Sequence, residues 1–235
     1  MNTAILHLIP NFLAEKTLHV IPSYIQDIVK NISIFYVEEI KSARRFLKKI
    51  DKNINIDALT FHFLNEHEIN DLHHAKQYFK DGKTIAYISE AGCAAVADPG
   101  AELVSLAHLF HVKVVPHVGP NSILLALMAS GFNGQKFLFH GYLPNKQPAL
   151  THKIKEIEQH SLKENCTQIF IETPYRNNQV LSELIAHCHA HTKLCVASNL
   201  TSVNEKIISC TVAEWRKMDF NFHKIPSVFL LSVSN

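Results

Sequence analysis

Glycine supplies positive φ angles and lets a backbone approach a ligand closely. All seven glycines of this 235-residue chain fall between Gly82 and Gly141. The segment reads Ser89-Glu90-Ala91-Gly92-Cys93-Ala94-Ala95-Val96-Ala97-Asp98-Pro99-Gly100, and Val118-Gly119-Pro120-Asn121-Ser122 follows. An apolar run, Thr84 to Ile88, leads into the first piece, and a helical pattern leaves it at Ala101. Asp98 and Pro99 suit the N-cap and first helical positions. Strand, glycine turn and helix start present free backbone N–H groups to a bound molecule. Either turn alone fits an ordinary strand-to-helix connection. Two of them, spaced by one βαβ unit, point to a ligand cleft.

Other side chains carry charge in patterns. Lys41, Arg44, Arg45, Lys48 and Lys49 recur at helical spacing and make one basic stripe, beside an apolar stripe of Ile40, Ala43, Leu47 and Ile50. The stripe is either a solvated helix face or a phosphate-contacting one. Glu38, Glu39 and Glu66 are carboxylates that could take a proton from a hydroxyl nucleophile. An ion pair of Glu39 with Arg44 is the plainer alternative, and the residues do not choose between Glu39 and Glu66. Among sixteen histidines, His187 and His191 would share a helix face. Spacing implies no third ligand and a histidine near a helix C-terminus also suits the dipole, so no metal site is expected. Cys93 reads as a space-filling residue of the turn.

The elements that must position these groups alternate. Strand-like runs at Ala4–Ile9, Ile32–Val37, Leu59–Leu64, Thr84–Ser89 and Val112–Pro116 enclose helical patterns at Ser23–Lys30, Lys41–Ile50, Ile69–Lys80 and Ala101–Phe110. That order predicts a mainly parallel, doubly wound sheet in the first half. After Gly119 come helices at Asn121–Ala129, Leu150–His160 and Gln179–His189, with strands at Phe137–Gly141 and Gln168–Glu172. Short strands at Leu194–Ser198, Lys206–Ser209 and Ser227–Val233 predict antiparallel pairing, and Thr211 with Glu214 makes a capping box. A boundary at the Pro116–Pro120 break gives domains 1–117 and 118–235.

Hydrophobic residues at 47% can fill the cores of two such domains. Charged residues at 19% and a net charge of +2 are too mild to argue nucleic-acid binding, so any basic footprint must be local. Five cysteines with no C-x-x-C pair fit reduced thiols. No export signal or long apolar run is read, so a cytoplasmic protein without a membrane segment is expected.

The two glycine motifs resemble those of the tetrapyrrole methylase superfamily, and most closely its ribosomal RNA small-subunit methyltransferase I group. That group carries S-D-A-G-x-P-x-x-S-D-P-G and then P-x-P-G-P. Here Glu90, Ala94, Ala97 and Val118 replace motif residues. Further similar stretches follow in order: His62, Asn65 and Glu66 in H-x-x-N-E; Phe137 to Pro144 with Lys146; Glu172-Thr173-Pro174-Tyr175-Arg176; and Leu200-Thr201 with Glu205.

The resemblance implies a homodimeric, metal-free α/β methyltransferase of two domains, with S-adenosylmethionine in the cleft between them and ribosomal RNA as the partner. It implies cofactor contacts at Pro10, Ser89, Glu90, Ala91, Gly92, Ala95, Asn121, Ser122, Thr173, Pro174, Leu200 and Thr201. It places acceptor contacts at Lys41, Arg44, Arg45, His62 and Asn65, with Glu39 or Glu66 as the base. Where the group has T-P-I-G-N and E-D-T-R, this chain has Ile9-Pro10-Asn11-Phe12-Leu13 and Glu38-Glu39-Ile40-Lys41, and it ends at Asn235, sooner than many relatives. The alternatives are methylation of a small molecule such as a tetrapyrrole, or cofactor and RNA binding without turnover.

Overall fold

The computed structural model describes residues 4–64 and 72–233. The chain divides into two compact units, Met1–Asn121 and Ser122–Asn235. Each holds one five-stranded sheet among the described residues.

In the first unit the strands are β1 (Ile5–Ile9), β2 (Ile34–Val37), β3 (Thr60–Phe63), β4 (Ile85–Ile88) and β5 (Lys113–Pro116). They alternate with the helices α1 (Tyr24–Val29), α2 (Ile40–Ile50), α3 (Leu72–Lys80) and α4 (Gly100–Leu109). The sheet order is β3-β2-β4-β1-β5 and every pairing is parallel. All residues of β2 and β4 are buried, as a parallel sheet covered on both faces requires.

The two-residue period of a strand sorts these side chains between two cores. Phe35, Val37, Ala86 and Ile88 pack with Ile25 and Val29 of α1 and with Phe46 and Leu47 of α2. Ile34, Tyr36, Ile85 and Tyr87 pack with Ala75 and Phe79 of α3 and with Leu103 and Leu106 of α4. The chain leaving β1 therefore crosses one face of the sheet, and the chain leaving its neighbour β4 crosses the other. In open α/β sheets this is the switch point whose carboxyl-end crevice takes the ligand.

The second unit contains α5 (Ser122–Ser130), β6 (Phe137–Tyr142), α6 (Ala149–Glu164), β7 (Thr167–Ile171), α7 (Asn177–His187) and β8 (Lys193–Ser198). It closes with β9 (Lys206–Thr211), α8 (Val212–Trp215) and β10 (Ser227–Ser232). Its sheet runs β6-β7-β10-β8-β9, and only β6 with β7 is parallel. The antiparallel pairing expected late in the chain is present. So is the Thr211–Glu214 capping box at the start of α8. Trp215 anchors this core, its indole N–H donating to the Leu194 carbonyl at 2.9 Å.

Three local expectations are corrected. The cap position of α4 is Pro99, not Asp98. The Asp98 carboxylate instead accepts from Gly100 N and Ala95 N, both at 2.8 Å, and so ties the turn to the helix. Helix α7 stops at His187 because Cys188 turns extended, which takes His191 off the helix. His187 pairs with Glu183 at 3.2 Å, and the shared face of His187 and His191 does not form. The ion pair of Glu39 with Arg44 is absent, since Arg44 lies 3.3 Å from Asp57. Among the described residues, no group of three or more His, Cys, Asp or Glu is placed to hold a metal ion. No described helix is long and apolar enough to cross a membrane.

Candidate active site

At the carboxyl ends of β1 and β4 the chain is knotted by one residue, Asn11. Its backbone exchanges two hydrogen bonds with Gly92, N to O at 2.9 Å and O to N at 3.1 Å. Its side-chain amide donates to the carbonyls of Ser89 at 3.1 Å and Glu90 at 2.9 Å. Asn11 is 2% exposed, so four polar links converge where water cannot replace them. The sequence places a motif here but gives no sign that the asparagine, rather than Pro10, grips the turn. Asn11→Ala should leave two carbonyls without donors and cost about 1–3 kcal/mol, read as a lower unfolding temperature.

Gly92 sits at φ +79, where a side chain is strained. Ala95 and Ala97 also adopt positive φ, at 64° and 59°. The second glycine turn packs on the first loop: a Cβ at Gly119 would lie 2.1 Å from the Pro10 Cβ. Cys93 Sγ lies 3.5 Å from the Gly119 carbonyl and 3.4 Å from that of Pro120, the packing role expected for it. Pro10, Ser89 to Ala95 and Asn121 thus share one region of the first unit.

The other end of the turn is held by carboxylates. Glu38, one residue past β2, accepts from Glu90 N at 2.8 Å and from the Tyr87 hydroxyl at 3.4 Å, both on Oε1. Burial pushes the Glu38 carboxyl above its ordinary range. Asp98 and Glu90 add to the rise, against the opposing pull of the Glu90 N–H. Asp98 is raised as well, chiefly by burial. Tyr87 stands between the two carboxylates and is held protonated, first by burial and then by their charges. Tyr87 and Asp98 were not singled out as site residues. A buried strand tyrosine carries no signal in sequence, and only folding brings Glu38 to it.

Glu39 lies differently. It caps α2, its two carboxylate oxygens accepting from Lys41 N at 2.9 Å and Ser42 N at 2.6 Å. These backbone donors hold its carboxyl below the usual range. Beyond this cap, Ile40, Lys41, Arg44, Arg45, Lys48 and Ile56 line an open groove of about 470 Å³. Arg44 is engaged with Asp57 and lies 5.8 Å from the Phe61 ring centroid, while Lys49 lies over Phe12. His62 stacks on Tyr36 and His74 and meets the Tyr78 hydroxyl at 3.1 Å. Asn65 and Glu66 lie outside the described residues.

In the second unit β7 and β8 both run antiparallel to β10, so their carboxyl ends lie together. Thr173 and Pro174 follow β7, and Leu200 and Thr201 follow β8. The segment before β10 ties both loops, Lys224 N to Pro174 O and Asn199 N to Pro226 O, each at 2.9 Å. Thr201 adopts φ 71 and its N–H donates to Glu205 at 2.7 Å. Its hydroxyl is buried and has no hydrogen-bond partner among the described residues. Ser122 opens α5.

These residues fit a cofactor that carries hydroxyl, carboxylate and ammonium groups. Within the second unit the orphaned Thr201 hydroxyl needs a polar partner, and within the first the turn offers backbone behind the small residues Ala91, Gly92, Ala94 and Ala95.

Comparison with known proteins agrees with this architecture. The profile of the family described as Tetrapyrrole (Corrin/Porphyrin) Methylases matches residues 14–215. The Ribosomal RNA small subunit methyltransferase I of Vibrio cholerae is 30% identical over 207 residues, covering 87% of this chain and 69% of the relative. That of Bacillus subtilis is 31% identical over 186 residues, covering 79% and 61%. The protein of the same name from Buchnera aphidicola subsp. Acyrthosiphon pisum is 28% identical over 196 residues and covers 81% and 66%. The chain thus spans about two thirds of the length of these relatives. Two solved structures share the fold over 98% of the chain: the methyltransferase CobJ (TM-score 0.64, 16% identity, 93% of that chain) and diphthine synthase (TM-score 0.67, 14% identity, 90% of that chain). The chain belongs to the tetrapyrrole methylases, a family of S-adenosylmethionine-dependent methyltransferases, and stands there beside the ribosomal RNA small subunit methyltransferase I relatives.

Proposed function

We propose that this protein is a methyltransferase that uses S-adenosylmethionine to methylate a ribose 2′-hydroxyl of ribosomal RNA, as a cytoplasmic homodimer. One observation carries the reading beyond family membership. Glu38 is bonded to the glycine turn through Glu90 N, and the next residue, Glu39, caps the cationic helix α2. A turn suited to the methyl donor and a groove suited to phosphates therefore share an edge of one unit.

In the first unit Pro10, Ser89, Glu90, Ala91, Gly92, Ala95 and Asn121 would hold the cofactor, with Asn11 and Asp98 fixing the turn around it. In the second, Ser122, Thr173, Pro174, Leu200 and Thr201 would do so, the Thr201 hydroxyl gaining the partner it lacks. Lys41, Arg45 and Lys48 would take RNA phosphates, while Arg44, already paired with Asp57, contributes less. His62 is embedded in an aromatic stack, which supports a role in shaping the surface. Bound, the cofactor supplies an activated methyl group on a sulfonium, whose departure as a neutral thioether leaves the protein chiefly to align the two reactants.

The test is incubation of the purified protein with labelled S-adenosylmethionine and small-subunit ribosomal RNA, followed by mass spectrometry of the nucleosides. A 2′-O-methylated nucleoside is expected. Methyl transfer to a tetrapyrrole and not to RNA would instead favour a small-molecule methylase, and binding of both ligands without transfer a protein that has lost turnover. Light scattering at micromolar concentration should give twice the mass of one chain, and a monomer mass would overturn the dimer.

A further inference from the structure

We propose that Glu38 is the general base of this reaction, taking the proton of the acceptor hydroxyl as the methyl group is transferred. The inference rests on the methyltransferase reading above and adds the residue that moves the proton. It differs from the expectation, which left the role open between Glu39 and Glu66.

Position is the first argument. Glu38 lies at the carboxyl end of β2, beside β4 in the sheet, and is bonded to Glu90 of the glycine turn. The cationic groove begins at the following residue. It is the described carboxylate that touches the turn on one side and adjoins the groove on the other. Glu39, by contrast, has both oxygens engaged by backbone N–H groups and gains from staying ionised as a cap.

Geometry is the second. Among the described residues the hydrogen bonds that Glu38 receives fall on Oε1, from the Glu90 N–H and the Tyr87 hydroxyl. These fix the carboxylate plane and leave Oε2 to accept a proton. The third is the environment. Half-burial, with the carboxylates of Asp98 and Glu90 and the Tyr87 phenol as the titratable groups around it, raises its proton affinity towards the working pH. A base is most effective there.

The accounting is simple. The acceptor oxygen forms a bond to the methyl carbon while the carbon–sulfur bond breaks, its electron pair staying on sulfur. The hydroxyl proton passes to Glu38 Oε2 and then to water.

The test compares wild type and Glu38→Gln in single-turnover methylation of small-subunit ribosomal RNA. The glutamine oxygen can still accept from Glu90 N, so the turn keeps its shape. The transfer rate is expected to fall about 10²–10⁴-fold, with cofactor and RNA affinities changed by less than about threefold. Wild-type rates should drop as pH falls through the raised Glu38 value, and the residual rate of the variant should not follow that limb. Removing one of two neighbouring half-buried carboxylates should also raise the unfolding temperature near neutral pH. The sign follows from a folded-state value above the unfolded one, which makes the ionised carboxyl destabilising as pH rises.

A Glu38→Gln enzyme with wild-type rate would overturn the proposal. So would a lost rate matched by an equal loss of cofactor affinity, which would make Glu38 a positioning residue of the turn. Loss of the rate in Glu39→Gln, with Glu38→Gln active, would return the role to Glu39. A wild-type protein that transfers no methyl group to RNA would instead overturn the underlying reading, and the base with it.

Discussion

Gly92→Val is expected to abolish the thermal upshift that S-adenosylmethionine gives the wild-type protein, while leaving a folded chain. At a ligand concentration a hundredfold above the dissociation constant, linkage makes the wild-type stabilisation about 2.7 kcal/mol. Residue 92 lies at φ +79, and its Cβ would sit 3.2 Å from Leu13 Cδ2 and 3.4 Å from the Pro120 carbonyl. Leu13 can swing aside, but the carbonyl belongs to the second glycine turn. A β-branched side chain adds the strain of a left-handed backbone, about 1–2 kcal/mol. The turn must therefore reshape, breaking the pairing with Asn11. Scanning fluorimetry with and without ligand reads the result. A variant that keeps the wild-type shift would remove this turn from the cofactor site.

RNA binding should be the second large effect, and it should depend on salt. If Lys41, Arg45 and Lys48 each neutralise one phosphate of a single strand, the log–log slope is about −2. Affinity then falls about twentyfold between 50 and 200 mM salt. Arg45→Ala should flatten the slope by about 0.7. Arg44→Ala should do less, because that guanidinium already lies 3.3 Å from Asp57. The double variant Arg44→Ala with Arg45→Ala should weaken RNA of every sequence alike, since phosphates carry no base information. Fluorescence anisotropy of a labelled RNA at several salt concentrations measures it. A slope unchanged in the double variant would make the stripe a solvated face.

What the sequence revealed, and what it hid, follows from the range of each interaction. The glycine turn was legible because Gly92, Pro99 and Gly100 punctuate a strand-to-helix connection with local chemistry. The alternation of strands and helices was equally legible, and so was the Thr211–Glu214 capping box, whose two members are three residues apart. The distinction between Glu38 and Glu39 was not. β2 is buried along its whole length and offers no alternation by which to read its exit. One residue decides whether a carboxylate turns to β4 or caps α2. Asn11 and Tyr87 were missed because their partners lie on other strands and loops, whereas Asp98, read as a helix cap, binds the backbone of its own turn at Ala95 and Gly100. The basic stripe was legible as a stripe, but the Asp57 that engages Arg44 sits thirteen positions on, beyond α2.

The position of β1 in its sheet sets the order in which this protein can be made. Of the described strands β1 is synthesised before the others, yet its neighbours are β4 and β5, so neither edge finds its partner until residues 85–88 and then 113–116 have been synthesised. Contacts of such long sequence separation form slowly, because closing the loop costs entropy before any pairing repays it. A nascent chain that ends before β4 carries an apolar strand with two open edges, a form prone to aggregation. The Asn11–Gly92 link can close only after this pairing. The glycine turn is thus assembled late, and a chain arrested before β5 should be held by chaperones rather than by its ligand.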